Sequence, residues 1–249
     1  MQVSIITPVY NAERFLKETA GSVISQSYQD WEWILVNDCS SDKSWEVMQE
    51  LAEKDRRIKI FSNKENLKSG KTRNFAIEQA TGRFIAFLDA DDKWHPEKLA
   101  IQIPFMIDNG YHFTHTSYGY LDEQGNNIKS TFRVSKEVDY KHLLKRTEIS
   151  CLTAIYDAEK IGKFYMSEHA RKQDYALWLT ILKSGVKSYG IDKELAYYRQ
   201  VKGSATNKKH KLILKHISFL KDTQDFNTLQ SLYFTMHWMV NGFIRYFLK

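Results

Sequence analysis

Short apolar runs alternate with amphipathic stretches along the first third of the chain. Four runs rich in β-branched and aromatic residues predict buried strands, at residues 3–8, 31–37, 58–61 and 84–88. The stretches between them have apolar residues at helical spacing and predict helices, at residues 11–27, 44–54 and 71–80. Asn11 is the expected N-cap of the first helix. Strands that alternate with helices in this way predict a parallel sheet with helices on both faces.

The rest of the chain has a less regular pattern. Helices are expected at residues 95–109 and 171–184, and strands at residues 113–120, 127–134, 153–156 and 195–199. We therefore expect an α/β fold with a mostly parallel central sheet flanked by helices, followed by a C-terminal helical tail. Because such sheets bind ligands at the carboxyl ends of their strands, the turns after the first, second and fourth strands are the places to search for a site.

Composition narrows the class of protein. With 249 residues, of which 43% are hydrophobic and 14% aromatic, the chain can bury a substantial core, and disorder is not expected. Its two cysteines, Cys39 and Cys151, form neither a disulfide framework nor metal-ligand spacing, which fits a reducing, cytoplasmic setting. The N-terminal segment has no basic region and no long apolar run, so a strand is expected there and not a signal peptide.

The net charge of +6 is concentrated in the last part of the chain. Residues 208–249 contain seven Lys or Arg and two Asp, a balance of 7 − 2 = +5, so residues 1–207 carry 6 − 5 = +1. A basic tail favours an anionic membrane surface over nucleic acid as a partner. The apolar residues on one helical face of this tail are Leu232, Met236, Met239, Val240, Phe243 and Phe247. Polar residues interrupt the stretch too often for a spanning helix, so contact with a membrane surface, with the core or with another subunit stays open.

The fourth predicted strand is followed by Asp89-Ala90-Asp91-Asp92. Carboxylates this close raise one another's pKa unless a cation joins them, and oxygen ligands favour Mg²⁺ or Mn²⁺. Asp89 and Asp91 lie two residues apart, so in an extended chain both point to the same side. Such a pair suits a divalent metal held against a diphosphate, with one carboxylate also in reach of a ribose hydroxyl. The alternative is a solvated acidic turn that caps the helix started by Pro96.

Two further segments have polar side chains at the same end of the predicted sheet. Asp38 follows the second strand, where it either accepts the ring N–H of a pyrimidine base or caps a helix. Lys68, Lys71 and Arg73 open the third helix, where cations and a helix N-terminus attract phosphate. The segment lacks the glycine pattern of a P-loop, and a solvated basic helix start is the alternative.

In combination, these segments resemble the inverting glycosyltransferases of family 2, which have the GT-A fold. The matching strings are SIITPVYN at 4–11, VNDCSSDKS at 36–44, NLKSGKTRN at 66–74 and FLDADDKWHPEKL at 87–99. The resemblance is strong over residues 3–100 and thinner afterwards, and it points to the teichuronic-acid or capsule type of bacterial cell-surface polysaccharide synthesis. It implies a domain at residues 1–207, with a nucleotide-sugar half at 1–100 and an acceptor half at 101–207, before the tail at 208–249.

The resemblance also implies roles for residues of the first half. Pro8, Tyr10 and Asp38 would line the nucleotide base, and Lys68 and Arg73 would approach the diphosphate or the sugar. UDP is the expected nucleotide. A saccharide or a lipid-linked saccharide is the expected acceptor. Whether the chain forms a homo-oligomer stays open.

The metal and the catalytic base would come from two acidic segments. Asp89 and Asp91 would be the Asp-x-Asp pair, with Asp91 the main ligand of Mn²⁺ or Mg²⁺. Gln173-Asp174 matches the family's second acidic motif, with Gln173 in place of the usual Glu. Asp174 would then take the proton from the acceptor hydroxyl.

Aromatic and basic residues of the second half have weaker implied roles. Trp178 and Trp94 are candidates for stacking on a sugar. Arg199, Lys202 and Ser204 resemble the family's Tyr-Arg-x-His-x-x-Ser segment and would contact the diphosphate, although Val stands near the usual His. The Gln-x-x-Arg-Trp signature of processive synthases is absent, which favours addition of one sugar per encounter.

The sequence disfavours three other classes of protein. A sugar nucleotidyltransferase is disfavoured because the turn after the first strand, residues 8–11, contains no glycine. A non-catalytic nucleotide-sugar or polysaccharide-binding protein is disfavoured by the presence of both Asp91 and Asp174. A nucleic-acid binder is disfavoured by the acidic strand ends and by basic charge that lies in one tail.

Overall fold

The computed structural model describes residues 2–167, 172–201 and 209–247, and its centre is a ten-stranded mixed sheet. The strands are β1 Val3–Val9, β2 Trp31–Asn37, β3 Ile58–Ser62, β4 Phe84–Phe87, β5 Lys93–Trp94, β6 Phe113–Leu121, β7 Asn127–Phe132, β8 Glu137–Val138, β9 Ile155–Asp157 and β10 Ser188–Arg199. The helices are α1 Glu13–Ile24, α2 Ser44–Lys54, α3 Lys68–Gln79, α4 Lys98–Asn109, α5 Tyr140–Lys145, α6 Ala158–Ile161, α7 Gln173–Lys183, α8 Lys209–Gln224 and α9 Thr228–Phe247, with a 3₁₀ turn at Cys151–Thr153. The expected α/β class is confirmed.

The strand order explains where a ligand can bind. Along the sheet it is β3-β2-β1-β4-β9-β6-β10-β5, with β7 beside β6 and β8 beside β10. The first four strands are parallel, as the alternation of strands and helices predicts. β9 is antiparallel to both β4 and β6, and β6 is parallel to β10, so six of the ten strands share one direction. The carboxyl ends of β1, β2 and β4 therefore lie side by side.

Both faces of the sheet are covered, because successive residues of the apolar strands enter different cores. Ile5 and Trp33 belong to one buried cluster, whereas Ile6 and Ile34 belong to the other. All four are fully buried. A strand buried on both faces is apolar throughout, which is why β1 and β2 are continuous apolar runs in the sequence.

The first helix begins two residues later than expected, and Asn11 does not cap it. Asn11 has a left-handed backbone with φ 49°, and its Oδ1 accepts a hydrogen bond from the Ser41 N–H at 2.8 Å. The N–H of Glu13 instead donates to Asp42 at 3.0 Å. Polar groups after β2 therefore satisfy the start of α1, which ties the first two strand ends together.

The second half differs more from the sequence expectation. β10 begins at Ser188, well before residue 195, because its polar first part pairs with β6 through two register shifts and with β8. The short helix α5 was not predicted, and Asp139 caps it by accepting from the His142 N–H at 2.7 Å. Tertiary pairing and a single cap determine these elements, and neither produces a periodic apolar pattern.

The C-terminal helices pack on the sheet domain. Phe219 and Leu220 of α8 are buried in the same core cluster as Trp178 of α7. The imidazole of His216 on α8 stacks on the Trp238 ring of α9, with 4.4 Å between ring centroids. The predicted domain boundary between residues 207 and 208 lies outside the described residues and stays a prediction. Within the described residues, every helix is too short or too polar to cross a membrane.

A buried carboxylate joins the amino-terminal ends of the strands. Glu32, which is 1% exposed, accepts hydrogen bonds from Ser4 Oγ at 2.5 Å, from the Thr81 N–H at 2.6 Å and from Lys59 Nζ at 2.6 Å. Burial by itself raises the pKa of Glu32, but the hydrogen bonds from Lys59, Ser4 and Thr81 outweigh it and lower the pKa from 4.5 to about 2.

We expect Glu32→Gln to lower the free energy of unfolding by about 3 kcal/mol at pH 7, because an amide cannot satisfy the donors that surround it. The folded pKa is lowered, so the carboxylate contributes fully above pH 4.5, and its contribution disappears as the pH falls towards 2. Urea unfolding at a series of pH values measures this difference. Glu53→Gln, on the exposed side of α2, is the control and should match wild type. A difference between wild type and Glu32→Gln that stays constant from pH 7 to pH 3 contradicts the assignment.

Candidate active site

Asp38 organises the loop between β3 and α3. Its Oδ1 accepts hydrogen bonds from Asn63 Nδ2 and from the Leu67 N–H, both at 2.8 Å. Its backbone carbonyl accepts from Asn66 Nδ2 at 3.1 Å. The carboxylate that ends β2 therefore positions the loop that delivers the first residues of α3 to the same end of the sheet.

The acidic segment after β4 is held in a tight turn by its backbone. The Asp92 N–H donates to the Asp89 carbonyl at 3.1 Å. The hydroxyl of Thr19 on α1 lies 2.9 Å from the carbonyl oxygens of both Ala90 and Asp92. These hydrogen bonds fix the backbone of the turn, and the fixed backbone sets the directions of the Asp89 and Asp91 side chains.

Arg199 supports the same turn from within the protein. Its Nε donates to the Asp91 carbonyl at 2.7 Å, and its Nη1 donates to the Asp122 carbonyl at 3.1 Å. Its Nη2 forms an ion pair with Glu18 at 2.6 Å, and its backbone N–H donates to Asp92 Oδ1 at 2.8 Å. The Arg199 side chain has no exposed surface, so its guanidinium is enclosed by the protein.

Arg73, on α3, forms an ion pair with Asp89. Burial opposes the charge of the guanidinium, but Asp89 and, more weakly, Cys151 and Asp174 raise the pKa of Arg73 above its ordinary value. Arg73 is 8% exposed, and its Nε finds no hydrogen-bond partner among the described residues. Buried N–H groups are rarely left unpaired, so this donor is available to a ligand.

Two adjoining clefts open at this end of the sheet. The large cleft, of about 590 Å³, is lined by Pro8, Tyr10, Asn11, Ala12, Phe15, Asp38, Asn66, Lys68, Ser69, Arg73, Asp89, Ala90, Asp91 and Val201. The small cleft, of about 240 Å³, is lined by Ser69, Arg73, Asp89, Asp92, Ser150, Cys151, Leu152, Gln173, Asp174 and Tyr198. Ser69, Arg73 and Asp89 line both, so these three residues mark the junction of the two clefts.

Asp174 reaches the small cleft from the first turn of α7. The preceding residue, Gln173, accepts a hydrogen bond from Ser69 Oγ at 3.2 Å. A Cβ atom on Gly70 would lie 2.2 Å from Gln173 Nε2, so glycine at this position allows α3 and α7 to approach closely. The close approach of Gly70 and Gln173 therefore brings Asp174 next to the residues of the large cleft.

Burial and mutual repulsion perturb the acids of both clefts. Burial, followed by the charge of Asp89, raises the pKa of Asp91 to about 6. Burial, followed by the charges of Asp91 and Asp89, raises the pKa of Asp92 well above its ordinary range. Burial raises the pKa of Asp174, while a backbone hydrogen bond and the Arg73 charge act in the opposite direction. Perturbed carboxylates gathered in a cleft are typical of a catalytic site.

The structure places most of the predicted site residues together. Those that line the large cleft are Pro8, Tyr10, Asp38, Lys68, Arg73, Asp89 and Asp91. Tyr10 is 56% exposed there, so its ring can contact a ligand without rearrangement. Lys202 and Ser204 lie outside the described residues.

Three predicted contacts are wrong because the side chains are buried elsewhere. Trp178 has no exposed surface and packs on Phe87 and Phe113, so it cannot stack on a sugar. Trp94 is 2% exposed, and its Nε1 donates to a backbone carbonyl at 2.8 Å. Arg199 supports the acidic turn and has no exposed surface with which to contact a diphosphate. The sequence pattern of an apolar helix face is the same whether a ligand or the core covers it. The same is true of a polar residue at a strand end.

Two residues of the clefts, Ser69 and Tyr198, were not among the predicted site residues. Ser69 lines both clefts, and Tyr198, which is 38% exposed, lines the small one. Burial, followed by the charges of Asp92, Asp91 and Asp89, raises the pKa of Tyr198 to about 12, so it is a neutral hydroxyl donor at pH 7. Ser69 stands within the string at 66–74 and was within reach of the resemblance. Tyr198 precedes Arg199 in the segment that resembles the family's Tyr-Arg-x-His-x-x-Ser, so the resemblance reached this residue too.

A family profile described as Glycosyl transferase family 2 matches residues 4–167 of this chain. The putative teichuronic acid biosynthesis glycosyltransferase TuaG of Bacillus subtilis is 38% identical over 213 residues, which covers 86% of this chain and 84% of TuaG. WfgD of Escherichia coli, named a UDP-Glc:alpha-D-GlcNAc-diphosphoundecaprenol beta-1,3-glucosyltransferase, is 34% identical over 241 residues, which covers 96% of this chain and 93% of WfgD.

Among solved structures, Staphylococcus aureus TarS 1-349 in complex with UDP-GlcNAc superposes with a TM-score of 0.73 at 20% sequence identity. The superposition covers 98% of this chain and 73% of the TarS chain. At this identity the likeness concerns the fold alone, and it agrees with the mixed sheet flanked by helices described above. Together with the profile and the two relatives, it shows that the chain belongs to glycosyl transferase family 2 and is a glycosyltransferase with the GT-A fold.

Proposed function

We propose that this glycosyltransferase transfers one sugar, with inversion, from a UDP-sugar to a hydroxyl of a lipid-linked saccharide in cell-surface polysaccharide synthesis. The observation that carries the proposal is the junction of the two clefts at Ser69, Arg73 and Asp89. A donor whose leaving group lies in the large cleft presents its anomeric carbon at this junction. An acceptor in the small cleft then has Asp174 beside its hydroxyl.

The large cleft suits a nucleoside diphosphate. Pro8, Tyr10 and Asp38 lie at the ends of the parallel strands β1 and β2, where a base is expected to bind. Lys68 and the unpaired Nε of Arg73 supply cationic donors for phosphate oxygens. The names of WfgD and of the TarS complex both specify a UDP-sugar, which favours UDP as the nucleotide here.

The acids of the large cleft suit a divalent cation. Among the described residues no group of three His, Cys, Asp or Glu side chains converges on a metal site. Mg²⁺, however, is commonly held by one or two carboxylates with substrate phosphates and water, and Mn²⁺ accepts the same oxygen ligands. Asp91 offers a carboxylate whose charged form is disfavoured by burial and by Asp89, a cost that a cation relieves. We therefore assign Asp91, assisted by Asp89, to hold Mn²⁺ or Mg²⁺, which when bound neutralises charge on the departing diphosphate.

The residues of the small cleft carry out the proton transfer. Asp174 accepts the proton of the acceptor hydroxyl as that oxygen forms its bond to the anomeric carbon. The bond between the anomeric carbon and the diphosphate oxygen breaks in the same step, and the electron pair leaves with UDP. Attack from the side opposite the leaving group converts an α-linked donor into a β-linked product. The name of WfgD specifies such a β linkage.

The names of the relatives guide the choice of acceptor and location. WfgD acts on a saccharide carried by diphosphoundecaprenol, and TuaG is named for teichuronic acid synthesis. Both support a lipid-linked saccharide as the acceptor class. A nucleotide-sugar donor and two free thiols, Cys39 and Cys151, fit a cytoplasmic enzyme.

UDP release over a panel of UDP-sugars, with GlcNAc-diphosphate-lipid as acceptor and with or without Mn²⁺, tests the function. We expect metal-dependent release with one preferred donor and a product with an inverted anomeric centre, identified by NMR. Release of another nucleotide in place of UDP, or a product with retained configuration, contradicts the proposal.

We expect Asp174→Asn to reduce kcat by about 10²–10⁴-fold, because the amide cannot accept the acceptor's proton. UDP affinity, measured by calorimetry with Mn²⁺ present, should change little since Asp174 lines only the small cleft. Asp108→Asn, on the exposed side of α4, is the matched control and should keep wild-type turnover. Retention of more than a tenth of the wild-type kcat by Asp174→Asn rules out this residue as the base.

Asp91→Asn should remove the part of UDP affinity that depends on Mn²⁺, because the main proposed metal ligand is lost. Calorimetric titrations with UDP, with and without Mn²⁺, measure this part directly. Wild type should bind UDP more tightly with Mn²⁺, and the variant should bind equally in both conditions. An equal gain from Mn²⁺ in the two proteins places the metal elsewhere.

A further inference from the structure

Helix α9 presents an apolar face to solvent. Its exposed apolar residues include Leu229, Leu232, Met236, Met239, Val240 and Ile244, which are between 37% and 78% exposed. Their spacing places all six on one side of the helix, which we call the outer face. A contiguous apolar surface of this kind on a folded protein marks a site of interaction.

The opposite side of α9 packs on the protein and includes two buried hydroxyls. Ser231 and Thr235 are buried, at 0% and 1% exposure, and their hydroxyls find no hydrogen-bond partner among the described residues. An amphipathic helix that served only the protein core would bury its apolar side and expose its hydroxyls. α9 buries these two hydroxyls beside aromatic residues such as Phe234 and leaves its apolar outer face exposed, so the outer face is suited to an apolar environment outside the protein.

Two lysines beside α9 and the net charge of the C-terminal sequence identify that environment. Lys145 on α5 lies over the Tyr233 ring at 5.8 Å, and Lys221 donates to Thr228 Oγ1 at the start of α9 at 3.0 Å. Residues 208–249 carry 7 − 2 = +5. Two copies joined through this face would bring two such charges together, whereas an anionic lipid surface attracts them.

We propose that α9 lies along an anionic lipid bilayer, with the outer face inserted at the boundary between headgroups and acyl chains. Lysines at the rim keep their ammonium groups at the lipid phosphates while their alkyl chains cover apolar surface. The proposal rests on the exposed face and the charge, and it does not depend on which sugar or acceptor the enzyme uses.

The inner side of α9 connects this surface with the active site. Lys172 Nζ lies 4.7 Å from the Trp238 ring of α9 and 5.6 Å from the Tyr175 ring of α7. Asp174 stands between Lys172 and Tyr175 in the sequence. The helix on the bilayer therefore contacts Lys172, which stands two residues before the proposed catalytic base.

Co-sedimentation of the full chain with vesicles of equal parts phosphatidylglycerol and phosphatidylcholine tests the proposal. We expect binding at low salt that weakens as salt is added, and little binding to pure phosphatidylcholine. Combined replacement of Leu232→Ser, Met236→Ser and Val240→Ser should weaken binding at least about tenfold, because the inserted apolar surface is lost. All three side chains are at least 47% exposed, so circular dichroism should show a folded protein.

The control carries the same number of exposed apolar replacements elsewhere: Ile24→Ser, Ile107→Ser and Ile128→Ser. It should bind vesicles as wild type does.

Absence of wild-type binding at low salt, or equal binding by the outer-face variant, overturns the proposal. Sedimentation velocity tests the alternative that a second copy covers the face. If wild type is a dimer, the outer-face variant is a monomer and wild type does not bind vesicles, the proposal is also overturned. UDP release with a short-chain, water-soluble acceptor should be the same in all three proteins. This assay tests the proposed function without a membrane, so failure of the membrane proposal can be told apart from failure of the proposed function.

Discussion

The mutual repulsion of Asp89, Asp91 and Asp92 is the constraint on which this end of the protein depends. Three carboxylates within four residues, two of them with a raised pKa, would disfavour the folded turn unless other groups opposed them. Arg73 pairs with Asp89, and the backbone N–H of Arg199 donates to Asp92. Among the described residues, Asp91 forms no ion pair, which leaves it as the carboxylate best able to accept a cation.

The two arginines solve different parts of this problem. Arg199 is enclosed, and its donors are directed at carbonyls of the turn and at Glu18, so it fixes geometry. Arg73 lines both clefts and keeps an unpaired Nε, so it can respond to a ligand. Because arginine keeps its charge at every physiological pH, neither contribution is lost on titration. One arginine therefore fixes the geometry of the acidic turn, and the other is available to contact a ligand.

The sequence predicts the first half of the fold well, because strands buried on both faces form continuous apolar runs. It also places Asp38, Arg73, Asp89 and Asp91 at one end of the sheet, since parallel strands bring their carboxyl ends together. The position of Arg199 is not predictable in the same way. A strand-end arginine in contact with phosphate and one enclosed beneath a turn have the same local sequence. The outward apolar side of α9 likewise follows from tertiary packing, because periodicity shows that a helix has an apolar side but not which way it faces.

The position of β10 in the sheet decides whether the segment that matches the family profile could fold alone. The matched residues, 4–167, end before α7 and β10, yet β10 lies between β6 and β5 within the sheet. A fragment cut at residue 167 would leave an edge of β6 without its parallel neighbour and would uncover the core around Phe87 and Phe113, which Trp178 seals. Unpaired strand edges of this kind invite aggregation. The segment by which the family is identified is therefore shorter than the smallest piece of this chain that encloses its own interior.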